Sequence, residues 1–239
     1  MHSPISKIIA CQVVIEEMLP FLPAGVDYES LELGLHVKPE NLKKTLQERI
    51  DAAGKKPGTI LLGYGLCSRS VAGLRSETCS LVVPRVDDCI SIFLGSRNAY
   101  LKQMKAEPGT YYLTKGWIEG GDHLFSSYDQ MVERYGNEKA EWLMKRMLQN
   151  YTRLVFINTG TYEVEKYREY TKRMAARHGL RFEEIQGSTT LVEKMINGPW
   201  DEDFVVVPPG QTITYEAFYE SPSWTKPVTA DGLENAEQQ

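Results

Sequence analysis

The sequence predicts an α/β protein in which a mostly parallel, Rossmann-like sheet carries helices on both faces. Short apolar segments rich in Val, Ile and Leu recur along the chain, and segments with helical spacing separate them. Several of these apolar segments end in a polar turn, as strands do at the carboxyl edge of an open parallel sheet. Two similar lobes are one interpretation of this alternation, and one continuous sheet is the other.

The first half of the chain predicts strands at Lys7–Val14, Ser30–Val37, Thr59–Leu62 and Ser80–Val83. Pro39 begins a helix after the second strand, because proline is favoured in a first helical turn and the leucines that follow share one face with Ile50. A helix is also expected from about Cys89 to Lys105, with Asp87 or Asp88 as its N-cap.

The second half continues the alternation of strands and helices. Its predicted strands are Thr110–Thr114, Arg153–Asn158, Arg181–Ile185 and Asp203–Val207. Its predicted helices are Ser127–Tyr135, Glu138–Gln149, Glu163–His178 and a short helix that ends at Asn197. We expect one α/β domain over residues 1–218, with 1–117 and 118–218 as the lobes of the two-lobe interpretation. The polar segment 219–239 predicts a flexible tail.

Composition limits the classes of partner. The net charge of -5 argues against nucleic acid and anionic membranes. No apolar segment approaches the roughly 20 residues of a membrane helix, and the N-terminal segment lacks the pattern of a secretory signal. We therefore expect a cytoplasmic protein, in which the 4 cysteines are reduced thiols or metal ligands. No CxxC pair occurs, so the common zinc-knuckle and thioredoxin signatures are absent.

Three cysteines and one histidine fall at predicted strand ends: Cys11, His36, Cys67 and Cys89. If the strands are parallel, all four side chains lie at one edge of the sheet. Thiolates and an imidazole suit zinc, and equally iron or an iron–sulfur cluster. Each residue also has a structural interpretation, because a buried thiol in a strand is usually inert and a histidine at a strand end often serves only as a hydrogen-bonding group.

Cys67 and Cys89 carry the stronger signals. Cys67 ends the motif GYGLC, in which Gly63 and Gly65 permit close approach of the backbone to a ligand. Cys89 falls in the first turn of a predicted helix, where the positive end of the dipole is expected to lower its pKa. Cys79 is predicted to lie in a loop and to take no part in the site.

Charged and polar groups near these cysteines predict substrate contacts. Arg85 is a candidate to hold a carboxylate or phosphate of the substrate. Asp88, or its neighbour Asp87, is a candidate to orient His36 or to move a proton, although capping of the helix explains such aspartates equally well.

Polar turns at two later strand ends predict a cofactor-binding surface. The first contains Asn158, Thr159 and Gly160, and the second contains Gly187, Ser188 and Thr189. Backbone N–H groups and hydroxyls in such turns bind anions, while ordinary loop chemistry is the alternative explanation.

These segments resemble the prokaryotic family known as domain of unknown function 1638. The similarity covers about residues 7–212 and rests on IIACQV, GLHVKPENLKKTLQERID, GYGLCSRSVAGL, LVVPRVDDCISIFLGSRNAY, GTYYLTKGWIE and DFVVVPPG. The resemblance implies that the family's cysteines and histidine fall on Cys11, Cys67, Cys89 and His36, and that Arg85 and Asp88 belong to its PRxxDC block. Cys79 matches nothing in the family, and Ser68, Arg69 and Ser70 stand where the family tends to have a glycine. The resemblance implies an archaeal or anaerobic bacterial setting and an association with corrinoid-dependent methyltransferases, and it supplies no reaction.

Three functions are compatible with these residues. The first is a zinc or iron enzyme that acts on a small one-carbon or thiol-bearing substrate. The second is an accessory protein that carries a metal, a cluster or a corrinoid for a partner methyltransferase, although the DxHxxG motif of the usual corrinoid domain is absent. The third is a metal-free enzyme with Cys89 as nucleophile and His36 as base, which leaves the other cysteines without a role. GYGLC lacks the spacing of a dinucleotide-binding loop and the lysine of a P-loop.

Overall fold

A computed structural model describes residues 4–121 and 123–219 of the chain. The strands are β1 (Ile5–Cys11), β2 (Tyr28–Leu31), β3 (Gly58–Gly63), β4 (Cys79–Pro84), β5 (Thr110–Leu113), β6 (Arg153–Asn158), β7 (Arg181–Gln186) and β8 (Phe204–Val207). The predicted tail, 219–239, lies outside the described residues except for Tyr219.

The helices separate and cover these strands. They are α1 (Gln12–Met18), α2 (Pro39–Ala53), α3 (Cys89–Phe93), α4 (Arg97–Ala106), α5 (Lys115–Gly120), α6 (Tyr128–Tyr135), α7 (Asn137–Leu148), α8 (Glu165–Arg177) and α9 (Thr190–Asn197). None of the described helices is long and apolar enough to cross a membrane.

The strands form two sheets, and the predicted α/β class with a mostly parallel sheet is confirmed. The larger sheet has the order β2-β1-β3-β4-β8, with β8 antiparallel to β4 and the other pairs parallel. The smaller sheet has the order β5-β6-β7 and is parallel throughout. The prediction of one domain over 1–218, with lobes 1–117 and 118–218 as the alternative, stays a prediction.

Buried Val, Ile and Leu side chains explain the larger sheet. Ile8, Ile60 and Leu81 are at most 1% exposed, and they belong to one core that also includes the apolar face of α2. A second core lies around the smaller sheet, where Leu154 packs with α6, α7 and α8. Parallel strands that are covered on both faces read as continuous apolar runs, which is why the sequence revealed them.

Three predicted elements were wrong in extent. The first strand ends at Cys11 and helix α1 follows at once, because the apolar side chains of Val13, Val14, Ile15 and Met18 fit a buried helical face as well as a strand. The second strand ends at Leu31, and Leu33–Val37 forms a 3-10 helix, since a spacing of two between leucines does not distinguish a strand from short turns. The helix expected from Cys89 is broken where Gly95 adopts a φ of 82°.

Candidate functional site

A cavity of about 300 Å³ lies at the carboxyl ends of β1, β3 and β4. Its walls contain all four of the predicted ligands, together with aromatic, apolar and acidic side chains. The lining residues are Cys11, Leu33, His36, Gly63, Tyr64, Cys67, Ser68, Asp87, Asp88, Cys89, Ile90 and Trp117. The sequence argument therefore located the cavity by its cysteines, whereas Leu33 and Ile90 gave no signal that separates a cavity wall from an ordinary core.

Cys11 occupies the junction between a strand and a helix. It is the last residue of β1 and the N-cap of α1. Only 8% of the residue is exposed, and burial raises the pKa of its thiol to about 11.

The GYGLC turn and the segment after β4 are held together by their backbones. The N–H of Leu66 donates to the carbonyl of Val86 at 2.8 Å, and the N–H of Cys67 donates to that of Asp87 at 2.9 Å. Gly65 makes this contact possible, because a Cβ atom there would lie 2.8 Å from the backbone nitrogen of Asp88. The glycine was expected to admit a ligand, and in the structure it admits the second cysteine segment.

Gly63, the last residue of β3, also permits a close backbone contact. It pairs with Ala10 across β1 and β3, and an added Cβ would lie 2.3 Å from the Ala10 side chain. Close packing of these two strands brings Cys11 to the wall that Cys67 also lines.

The turn that carries Cys67 has an unusual backbone. Cys67, Ser68 and Arg69 have φ values of 44°, 55° and 71°, three consecutive left-handed residues that are not glycine. Each such residue costs roughly 1–2 kcal/mol relative to ordinary backbone.

Cys89 begins helix α3, and the expected effect on its thiol is wrong. Asp88 caps the helix as predicted, since its carboxylate accepts the N–H of Ile90 at 3.0 Å. However, the pKa of Cys89 lies well above its ordinary value, because burial outweighs any effect of this five-residue helix and the Asp88 charge adds to it. The indole N–H of Trp117 donates toward this thiol and opposes the increase in pKa.

His36 reaches the cavity from the 3-10 helix rather than from a strand end. Its Nδ1 atom is hydrogen-bonded to the carbonyl oxygen of Leu33, which can only accept, so Nδ1 carries the proton. In the tautomer that this hydrogen bond selects, the lone pair is on Nε2. The ring meets Trp117 edge to face, with 5.2 Å between ring centroids.

Two further residues line the cavity and affect its polarity. Tyr64 is 3% exposed, and its burial is the main cause that raises the pKa of its phenol above the ordinary value. The neighbouring cysteines add a smaller increase. Asp87 accepts hydrogen bonds from Arg97 and from the hydroxyl of Tyr219, both at 3.1 Å.

Arg85 does not line the cavity. Its guanidinium donates to the backbone carbonyls of Glu202 at 2.8 Å and Phe204 at 2.9 Å, and also to that of Ala217. This arrangement holds the last described segment against the end of β4, and the anion-binding role expected for Arg85 stays a prediction.

The polar turns of β6 and β7 lie outside the cavity and bind other parts of the chain. Thr159 donates to the buried Glu17 carboxylate at 2.8 Å, and the amide of Asn158 binds Glu184 while its oxygen accepts the N–H of Gly160. The hydroxyl of Ser188 donates to Thr190 at 2.9 Å. The structure thus does not bring the predicted cofactor residues Asn158, Thr159, Gly160 and Ser188 to the cysteines, whereas Gly63 does line their cavity.

The spacing of the donors limits what the cavity can hold as it stands. Within residues 4–121 and 123–219, no group of three or more His, Cys, Asp or Glu side chains is arranged to hold a metal ion. The three thiols and the imidazole share one cavity without converging on a single point.

The fold and the cavity together define an α/β protein with a cysteine-rich site at the carboxyl edge of a mostly parallel sheet. The chain belongs to the family described as "Protein of unknown function (DUF1638)", whose model matches residues 30–196. The match includes His36, Cys67 and Cys89, while Cys11 precedes it. No curated protein and no solved structure matches the chain.

Proposed function

We propose that this chain is a metal-centre protein in which Cys11, Cys67 and Cys89 bind zinc, iron or an iron–sulfur cluster. Its reaction involves a small molecule of the one-carbon or thiol type. One observation carries the proposal: three thiols and the His36 imidazole, from four separate segments, line a single cavity. Thiolate and imidazole are the ligand types that zinc, iron and their clusters prefer.

The donor set fits such a centre in its chemistry. The Nε2 lone pair of His36 is available because Nδ1 is engaged with Leu33, the arrangement usual for metal-binding histidines. Burial keeps the thiols protonated, with a pKa of about 11 for Cys11 and about 12 for Cys67. A bound cation would offset the unfavourable ionisation of these groups, so metal binding should release protons.

The spacing favours a cluster over a single ion. Sulfur ligands about 2.3 Å from a tetrahedral zinc lie roughly 3.8 Å from each other, and the described donors form no such group. A cluster places its own iron and sulfide atoms between the cysteines, which then stand farther apart. A single zinc ion would require the donors to move closer, and the left-handed turn at Cys67 is the segment we expect to move.

The protein's own residues would complete the site. Three cysteines leave one coordination position for His36 or for a substrate, and the bound metal would supply Lewis acidity or electrons there. The carboxylate of Asp88 and the phenol of Tyr64 both line the cavity and are placed to hold or move a proton. If His36 fills the last position, a structural or carrier role replaces catalysis.

The other two functions stay predictions. Burial of all three thiols disfavours a metal-free nucleophile at neutral pH, because the reactive species is the thiolate. An accessory role for a corrinoid methyltransferase, and the link to anaerobic methyl metabolism, rest on the family resemblance alone.

Metal and acid-labile sulfide per chain test this proposal. The protein should be purified without oxygen or affinity-tag metal, and both quantities measured for the wild type, Cys67→Ser and Cys89→Ser. We expect near-stoichiometric metal in the wild type, with sulfide if it is a cluster, and at least a several-fold loss in both variants.

Cys79→Ser is the matched control. Cys79 is fully buried at the opposite end of β4, and its thiol donates to the Lys56 carbonyl at 3.1 Å, which a serine hydroxyl can also do. This variant should keep its metal. A metal-free wild type, or equal metal in all four proteins, would contradict the proposal.

A further inference from the structure

The described lining of the cavity is acidic. Of the described residues, two carboxylates line it, those of Asp87 and Asp88, and no lysine or arginine does. A ligand that entered this cavity would meet negative or neutral groups on every side.

Two of the arginines near the cysteine segments stack on tyrosines of the last described segment. The guanidinium carbon of Arg69 lies 4.5 Å from the centre of the Tyr215 ring. That of Arg97 lies 5.2 Å from the Tyr219 ring, and its Nε also binds Asp87. Because Arg85 binds backbone carbonyls instead, the three arginines are all engaged outside the cavity wall.

Asp88 is the carboxylate that this arrangement leaves without a cation. Asp87 is paired with Arg97 at 3.1 Å. Asp88 accepts only backbone N–H groups of α3 in the described structure, and no ion pair there includes it. Its carboxyl group lines the cavity without a counter-ion among the described residues, and burial raises its pKa above the ordinary value, which a cation in the cavity would offset.

Three aromatic side chains complete the wall: Tyr64, His36 and Trp117. Aromatic rings attract cations through their electron-rich faces, most strongly where water is excluded. An aromatic wall beside an unpaired carboxylate is the chemistry that recognises organic ammonium ions and gives no favourable contact to anions.

We propose that the small molecule bound in this cavity is an organic ammonium ion, placed between the aromatic wall and Asp88. The inference rests on the proposed metal centre, because three thiolates exceed the charge of a divalent ion and leave the filled site negative. It replaces the earlier expectation of an anionic substrate held by Arg85.

Three probes of nearly equal shape and different charge test the inference. Choline carries a trimethylammonium group, dimethylbutanol is its uncharged carbon isostere, and dimethylbutanoate is a related anion. Titration of the oxygen-free, as-purified protein by calorimetry should show choline binding roughly tenfold or more above dimethylbutanol. The anion should bind more weakly than either.

Substitutions in the cavity wall test which residues cause the preference for choline over its uncharged isostere. Asp88→Asn keeps an oxygen that can cap α3 and removes the charge, so it should abolish most of the preference for choline. Trp117→Leu should weaken it too. The matched controls are Asp129→Asn, at an exposed position, and Trp142→Leu, whose side chain is 63% exposed and outside the cavity; both should bind as the wild type does.

Metal content measured on the same samples separates the two proposals. Equal binding of choline and its isostere, tighter binding of the anion, no binding of any probe, or a choline preference that survives Asp88→Asn would each overturn this inference. A metal-free wild type would overturn the proposed metal centre instead, and the choline titration would still report the charge preference of the cavity.

Discussion

The carboxyl edges of the two sheets have similar sequence features, but only the edge of the larger sheet forms the cysteine-lined cavity. Each edge has parallel strands that run into polar turns with glycine. At the larger sheet, the side chains after β1, β3 and β4 line one cavity. At the smaller sheet, the polar groups after β6 and β7 bind each other or Glu17 and Glu184.

This difference shows that a polar turn at a strand end is not sufficient evidence for a binding site. The hydroxyl of Thr159 is committed to Glu17 and the amide of Asn158 to Glu184, so neither is available to a ligand. The thiols of Cys11, Cys67 and Cys89 instead line a cavity, and they are the groups that we propose as metal ligands. Sequence spacing locates both edges, but only the partners of each side chain distinguish them.

Alanine substitution of one glycine at each edge should give the largest difference in stability and metal content between the two edges. Gly65→Ala places a methyl group 2.8 Å from backbone atoms of Val86 and Asp88, which cannot move without separating the cysteine segments. We expect a loss of about 3 kcal/mol in the free energy of unfolding and a several-fold loss of metal. Urea unfolding and metal analysis measure the two effects.

Gly160→Ala is the counterpart at the smaller sheet. Its φ is 77°, and the nearest atom to an added Cβ is 3.8 Å away, so the change should cost about 1 kcal/mol in backbone strain. Its metal content should match the wild type. Equal metal loss in Gly65→Ala and Gly160→Ala would mean that the two edges are not functionally distinct.

Much of the site could be read from the sequence because its ligands follow short buried strands. Cys11, Cys67 and Cys89 stand at or just after the ends of β1, β3 and β4, and apolar runs made those ends visible. His36 was predicted for the wrong reason, since it belongs to a 3-10 helix that brings it to the same cavity.

What could not be read were contacts over long sequence separations. The engagement of Arg85 with carbonyls near residues 202–217 depends on β8 returning to the larger sheet. The pKa of Cys89 depends on its burial in the folded chain, which local sequence does not report. Thr159 and Glu17 are far apart in sequence and meet only because the two sheets are adjacent.

A smaller effect on stability is expected from the backbone strain at the turn that carries Cys67. The larger edge uses non-glycine residues in left-handed conformation, whereas the smaller edge uses Gly160. Ser68→Gly should therefore raise the free energy of unfolding by about 1 kcal/mol. Ser70→Gly, which removes a buried hydroxyl bonded to the Cys67 carbonyl at 2.7 Å, should lower it by a similar amount. A loss of stability in Ser68→Gly would show that the strain is not there.

The smallest effect concerns pH at the smaller edge. Burial raises the pKa of Glu17 above its ordinary 4.5, although the hydrogen bonds that it accepts from two threonine hydroxyls lower this pKa. The folded state therefore holds this proton more tightly than the unfolded state. Its contribution is fully present below about pH 4.5 and is lost as pH rises through the folded pKa.

Glu17→Gln removes that titration while keeping an oxygen that accepts from Thr159 and Thr161. The free energy of unfolding of the variant, measured in urea from about pH 4 to pH 8, should fall less with rising pH than that of the wild type. Parallel curves for the two proteins would exclude a raised pKa at Glu17.

X-ray absorption at the metal edge of anaerobically purified protein tests the central claim most directly, because it identifies the atoms bound to the metal. For zinc, the account predicts three cysteine sulfur neighbours at about 2.3 Å and one lighter atom. For a cluster, it predicts a first shell of sulfide and cysteine sulfur together with a short iron–iron distance. Cys89→Ser should lose one of the sulfur neighbours or the metal itself, and Cys79→Ser should give the wild-type spectrum. A first shell of nitrogen and oxygen alone, or a spectrum that Cys89→Ser leaves unchanged, would contradict a metal centre at these cysteines.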